Sequence, residues 1–383
     1  MKSLQCVLLA AISCLGTLGA RGAAPQPDDI SPMLAVIREA RGVPALAAGL
    51  IRSNRVVALG VAGVRKQGVG EPATLGDLWH VGSVTKSMTA TLAGLLVQEG
   101  RISWTNTLAA SFPAVSPRMH PAWRAVTLSQ LLRHRGGAPD SEWLQSRGIW
   151  DMLWNHPGTP KEQRAAWLES VVTNAPPVAP GTEFVYSNTG YVFAGMMLEA
   201  TAGEPWEDLI SRRLFAPLGM TSAGFGVPAR PRFIDQPWGH QWADGRPKAV
   251  PPGPDADNPS GLGPAGTVHL SLGDLLKYAA FHAREGHGVG LLSGDTFRIL
   301  HDPVPGESYA MGWKVATRPW AGGTVLTHTG SNRQWFAVVW IAPGRDAAAV
   351  AVTNIGDNEG HAASTATDEA VATLIGRYLQ NSP

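Results

Sequence analysis

At 383 residues the chain exceeds the roughly 250 to 300 at which a single hydrophobic core stops growing, so one body with two lobes is expected. Lys plus Arg number 31 and Asp plus Glu 30, a formal net charge of +1. This gives no field suited to a phosphate backbone and excludes nucleic acid as an expected partner. Hydrophobic residues at 44% against 16% charged support burial over disorder, and 44 Gly and 30 Pro predict many defined loops.

Residues 1–23 read as an export signal. Lys2 supplies a positive start, 7–18 is mostly apolar, and Gly19, Ala20, Gly22, Ala23 and Ala24 are small. The apolar run is shorter than the roughly 20 residues that span a bilayer. Removal is therefore favoured over anchoring, and the mature chain, without a transmembrane segment, is expected in the periplasm or secreted. Lipoprotein anchoring at Cys14 is the weaker alternative. Cys6 and Cys14 are the two cysteines of the chain. Both lie in this segment, so thiol nucleophiles, zinc-thiolate sites and disulfides are excluded from a processed chain.

Apolar residues at Ile30, Met33, Leu34 and Ile37 predict a helix over 30–40, ended by Gly42-Val43-Pro44. The aliphatic runs 46–51 and 56–61 flank Arg52-Ser53-Asn54-Arg55 and predict an antiparallel hairpin. A second hairpin is predicted from 335–341 and 347–352, and a closing helix from 366–379. The middle, 102–259, offers helical patches, Trp and Pro-rich loops, with 228–264 as the segment returning to the sheet. The organisation expected is an α/β lobe (24–101 and 260–383) interrupted by a mostly helical lobe (102–259). Trp143, Trp150, Trp154, Trp167, Trp238 and Trp242 fit core or rim packing better than a cleft lining.

The chain contains no Gly-x-x-x-x-Gly-Lys phosphate loop, no His-Glu-x-x-His and no His-x-His-x-Asp, despite 11 His, which removes support for ATP or zinc hydrolysis. No Ser sits in a Gly-x-Ser-x-Gly elbow. Ser83-Val84-Thr85-Lys86 offers another layout. Val84, Met88, Leu92, Leu95 and Leu96 trace a helix face starting there, so Ser83 and Lys86 are one turn apart and close enough to exchange a proton. A lysine near its reference pKa of about 10.4 is no base at neutrality, and burial together with the helix dipole would lower it.

A second element is Tyr186-Ser187-Asn188, the one Tyr-x-Asn in the chain. A phenol can relay a proton, and an Asn amide can both donate to and accept from a substrate amide. A third is His328-Thr329-Gly330-Ser331, after the strand-like 323–327. Its edge can run past the nucleophile. Gly330 admits a substrate backbone, the Thr329 hydroxyl can bind a carboxylate, and the Ser331 amide can join that of Ser83 as an oxyanion hole. Each element alone has a structural reading; three in one order do not.

With these elements the chain resembles the penicillin-recognising serine hydrolases, in the class C β-lactamase branch with its D-alanyl-D-alanine carboxypeptidases, D-amino-acid amidases and esterases. The resemblance takes in 95–108, 131–139, 214–220 and Pro264-Ala265-Gly266. It implies a β-lactamase/DD-peptidase-like fold over 24–383: an α/β (α+β) body whose antiparallel sheet is flanked by helices, with an inserted helical lobe. It implies Ser83 as the acylated residue, Lys86 and Tyr186 as proton relay, and Asn188, His328, Thr329, Gly330 and Ser331 in substrate binding. No metal or organic cofactor is expected, and the expected partner is a small molecule or short peptide. Most β-lactamases of the branch carry Lys where this chain has His328, which predicts a weaker, pH-dependent preference for carboxylates. The readings open on sequence are a D-amino-acid peptidase or amidase, an esterase, a β-lactamase and a non-catalytic penicillin-binding sensor. The sensor would predict loss of Lys86, Tyr186 or Asn188, and all three are present.

Overall fold

The computed structural model describes residues 26–287 and 290–380; the candidate export signal and both cysteines lie outside the described residues. After a two-residue strand β1 (Asp28–Asp29), helix α1 (Ser31–Arg41) follows the predicted spacing and closes on Gly42 at φ +66°. Strands β2 (Ala45–Arg52) and β3 (Arg55–Gly63) form the first hairpin. Ser53 and Asn54 both adopt positive φ, the turn geometry that matches the twist of the flanking strands.

A short strand β4 (Leu78–His80) leads to helix α2 (Thr85–Gln98). The middle of the chain supplies helices α3 (Pro160–Val172) and α4 (Asn188–Ala202), a short strand β5 (Gly224–Phe225), and the hairpin β6 (His240–Ala243) and β7 (Arg246–Ala249). Strand β8 (Val268–Ser271) and helix α5 (Leu272–Ala283) return to the sheet. Strands β9 (Lys314–Arg318), β10 (Gly323–Ser331), β11 (Phe336–Ala342) and β12 (Ala347–Thr353) precede helix α6 (Ala362–Ile375).

The main sheet has the order β1-β3-β2-β12-β11-β10-β9, antiparallel except where β1 runs parallel to β3. Its central strand, β12, is Ala-rich and buried at every position. Helices α1 and α6 cover one face and α5 the other, and small side chains let both layers approach closely. Strands β4, β8 and β5 make a second sheet. The β6–β7 hairpin lies inside the stretch predicted to be mostly helical. His240 fastens it to the sheet lobe, donating from Nδ1 to Asn354 O at 2.8 Å and accepting the Gln67 N–H at Nε2 at 2.9 Å. Its polar His-Gln-Trp-Ala sequence gives too short an alternation to announce a strand.

Helix α2 is buried on all sides from Thr85 to Leu96, where the sequence predicted a single apolar face. The second face consists of small hydroxylated residues satisfied internally. Ser87 donates to Val84 O, Thr89 to Pro264 O and Thr91 to Ser87 O at 2.6–2.8 Å. Among the described residues no helix is long and apolar enough to cross a membrane.

Between α3 and α4 the Arg164 side chain, 0% exposed, pairs with Glu199 at 2.5 Å and Glu207 at 2.9 Å. Removing one member of a buried ion group strands the others without a partner. Arg164→Ala is expected to cost about 3 to 5 kcal/mol of stability in denaturant unfolding, without shifting any group at Ser83.

Candidate active site

Between β4 and α2 the chain makes one tight turn, Gly82–Val84, that carries Ser83. Gly82 has φ +49°, and a Cβ there would lie 2.3 Å from the Ser331 nitrogen; both features demand glycine. From the opposite side, a Cβ on Gly330 would lie 2.0 Å from Val81 O and 2.7 Å from Ser83 N. The backbones of the Ser83 turn and of β10 therefore touch with no side chain between them. Strand β9 pairs with β10 only as far as Thr327, so 328–331 is an open edge beside Ser83.

Lys86 is fully buried. Its Nζ lies 2.9 Å from Ser83 Oγ, 2.7 Å from Asn188 Oδ1 and 2.8 Å from Ala265 O. The last two atoms can only accept, so they take two N–H groups and the third position of the amine faces Ser83. As an ammonium Lys86 donates there; as a free amine it offers its lone pair to the Ser83 hydroxyl. Burial holds the amine well below the usual lysine value of 10.5, which favours the second state.

Asn188 begins α4, and the N-cap is Ser187, whose Oγ accepts the Gly190 N–H at 3.2 Å and donates to Pro139 O at 2.6 Å. With Asn188 Oδ1 on Lys86, Nδ2 is the group left for a substrate carbonyl. Tyr186, 38% exposed, has its ring 4.5 Å from that of His134 and 6.4 Å from that of His328, with Lys86 Nζ 4.9 Å from its centroid. Desolvation pushes the phenol up to about 12, against a hydrogen bond with Ser83.

His328 is buried. Its Nδ1 donates to Thr329 O at 2.5 Å, and its Nε2 lies 3.2 Å from the Tyr309 hydroxyl. Tyr309 in turn lies 3.3 Å from His134 Nε2, while His134 Nδ1 accepts the Ser187 N–H at 3.1 Å. Burial, then the neighbouring Lys86, pushes His328 down to about 3. This lowering favours the neutral imidazole near neutrality, the state that argues against the pH-dependent carboxylate preference expected of it. Thr329 is exposed, and Ser331 Oγ accepts the Arg333 N–H at 3.0 Å.

The structure thus brings Ser83, Lys86, Tyr186, Asn188 and 328–331 together, and adds residues that sequence reasoning missed. Ala265 contributes only a carbonyl, within a segment already noted. Tyr309 belongs to no motif. His80 accepts the Gly82 N–H at Nδ1 (3.1 Å) and places Nε2 2.9 Å from Asp257 Oδ1, and Asn332 Nδ2 donates to that oxygen at 2.9 Å. This clasp ties the residue before Ser83 to the residue after Ser331. Of the Trp residues, Trp143, Trp150 and Trp167 pack in the large core, Trp242 packs against the second core, and Trp238 is buried. Trp154 lines a pocket of 580 Å³ with Phe225, Asp257 and Thr267.

Residues 31–374 match the sequence family described as Beta-lactamase. The chain belongs to that family. It is a serine hydrolase of the β-lactamase and penicillin-binding-protein type. Penicillin-binding protein 4 of Amycolatopsis lactamdurans is 26% identical over 306 residues, 77% of either chain. The octameric penicillin-binding protein homologue from Pyrococcus abyssi has a TM-score of 0.72 at 24% identity, covering 91% of this chain and 77% of its own. D-amino acid amidase from Ochrobactrum anthropi SV3 has a TM-score of 0.71 at 23% identity, covering 91% and 98%. At such identities these structures share the fold.

Because the two backbones touch, Gly330→Ala is expected to push β10 off the nucleophile turn. Labelling of Ser83 by a serine-directed fluorophosphonate should slow about 100-fold, the cost of a displacement near 1 Å, while far-ultraviolet circular dichroism stays unchanged.

Proposed function

We propose that this β-lactamase-family chain cleaves amide or ester bonds through an acyl-enzyme on Ser83, acting on D-amino-acid peptides or amides or on small esters. The observation that carries this reading is the Lys86 amine, whose two acceptor partners leave it one direction, towards Ser83 Oγ. In acylation Ser83 Oγ bonds to the substrate carbonyl carbon as its proton passes to Lys86 Nζ. The carbonyl oxygen becomes an oxyanion held by the amides of Ser83 and Ser331. Collapse of this intermediate breaks the bond to the leaving group, which departs with a proton delivered through Tyr186. Water then attacks the acyl carbon, giving its proton to the same relay, and Ser83 is regenerated.

The two perturbed groups divide the work. A phenol raised to about 12 keeps its proton at neutrality and suits the role of acid, whereas an amine lowered by burial suits the role of base. Position 328 carries no fixed cation, which favours uncharged substrates over β-lactams. Export of the mature chain to the periplasm or medium accompanies this reading, on the residue pattern of 1–23.

Intact mass followed over time with a β-lactam, beside Ser83→Ala, tests the assignment. A wild-type adduct absent from the variant supports it. Ser83-dependent drug loss without an adduct would mean a β-lactamase, and turnover surviving in Ser83→Ala would overturn the mechanism. Lys86→Met is expected to slow acylation by about 100- to 10,000-fold. Tyr186→Phe should impair amides far more than activated aryl esters, whose leaving groups need no proton. The acid limb of kcat/KM should fall below the ordinary lysine range, because Lys86 loses activity only as falling pH protonates it.

A further inference from the structure

The Ser187 N–H, His134, Tyr309, His328 and the Thr329 carbonyl form one row of hydrogen bonds beside Tyr186. The ends of the row fix its direction. The Ser187 N–H can only donate, so His134 accepts at Nδ1 and carries its hydrogen on Nε2, facing Tyr309. The Thr329 oxygen can only accept, so His328 carries a hydrogen on Nδ1. Tyr309 accepts from His134 and passes its own hydrogen to His328 Nε2. Each imidazole then holds one hydrogen and no charge, in opposite tautomers.

One competing arrangement exists. Tyr309 also pairs with Tyr191, whose hydroxyl donates to Leu132 O at 2.6 Å. Were Tyr309 to donate to Tyr191, His328 Nε2 would either face Tyr309 with no hydrogen to accept or take a proton and donate as a cation. The cation would be desolvated, which opposes it, and the unfilled lone pair would be a buried acceptor without a partner. The row is also built at a backbone cost. His134 stands at φ +58°, a region uncommon for a residue with a side chain. It is held there by its N–H on Leu131 O and by the Val185 N–H on its carbonyl.

A leaving group protonated by Tyr186 departs beside a ring flanked by His134 and His328. The remaining charges around these imidazoles are accounted for. Lys86 lies under the Tyr186 ring and Arg135 is paired with Glu307. Arg133 is turned onto the carbonyls of Ile299 and Asp302, and Lys314 stands opposite Thr327 on β9.

We propose that Tyr309 is a positioning residue for this site. Its hydroxyl joins His134 and His328 into a one-way chain that keeps position 328 an uncharged acceptor. It thereby selects amides and esters whose departing part bears no carboxylate. The inference rests on the acyl-enzyme reading of Ser83.

Nitrogen-15 imidazole spectra of the whole chain test the row itself, with signals assigned through His134→Asn and His328→Asn. The expected result, over about pH 5 to 8, is hydrogen on Nε2 of His134 and on Nδ1 of His328, neither titrating. A His328 protonated on both nitrogens in that range overturns the proposal.

The kinetic arm compares a phenyl ester with the 3-carboxyphenyl ester of the same acyl group. Wild type should favour the neutral ester by about tenfold in kcat/KM, as one charge-assisted contact would decide, with a ratio flat in pH. In Tyr309→Phe the ratio should shrink and become pH-dependent, and in His328→Lys it should reverse. A wild-type preference for the carboxylate ester, or a ratio unmoved in both variants, sinks this inference alone. Ester turnover retained by Ser83→Ala sinks the reading beneath it.

Discussion

Taking an ammonium out of water costs several kcal/mol even after the surroundings relax, and this chain places the Lys86 amine where no part of it is exposed. The geometry around Ser83 serves that amine. One acceptor comes from the start of α4, as Asn188 Oδ1, and one from the segment returning to the sheet, as Ala265 O. Neither is a carboxylate. An ion pair would have stabilised the charged form, whereas two neutral acceptors satisfy two hydrogens and leave the third position to be shared with the serine. The same burial runs along α2 as far as Leu96, where its Ser and Thr hydroxyls find internal acceptors.

Three chain segments held around a buried amine are braced on both sides of it. On one side the His80 clasp links Gly82 to Asn332 through Asp257. On the other, His134, Tyr309 and His328 link Ser187 to Thr329. In the second brace a neutral imidazole donates from one nitrogen and accepts at the other, joining two chain segments without a net charge. The glycines at 82 and 330 complete the arrangement by removing the side chains that would separate the Ser83 turn from β10.

The sequence carried the frame of this architecture more clearly than its joints. The two hairpins, 45–63 and 336–353, announce themselves because aliphatic runs flank polar turns, and the Ser83–Lys86 spacing is a local property of one helical turn. The approach of Tyr186 and Asn188 to that pair became legible only when three motifs were read together. The β6–β7 hairpin was not legible, since its strands are four residues each and polar. Nor were Tyr309, His80 and Asp257, whose contacts span many residues of chain and leave no periodic trace. For His328 the residue was plain but its environment was not. An imidazole at the cleft edge and one buried against a tyrosine look identical in sequence, and only burial decides which one titrates.

Six histidines, at 134, 240, 269, 282, 301 and 328, have their pKa values lowered chiefly by burial. In an unfolded chain each would bind a proton near its ordinary 6.5, whereas folded His240 waits until about 4 and His301 until about 3. The unfolded state therefore binds more protons as pH falls. The associated stability is fully present above 6.5 and is withdrawn as pH falls below it. Acid thus works against this fold through its buried imidazoles, those beside Ser83 among them.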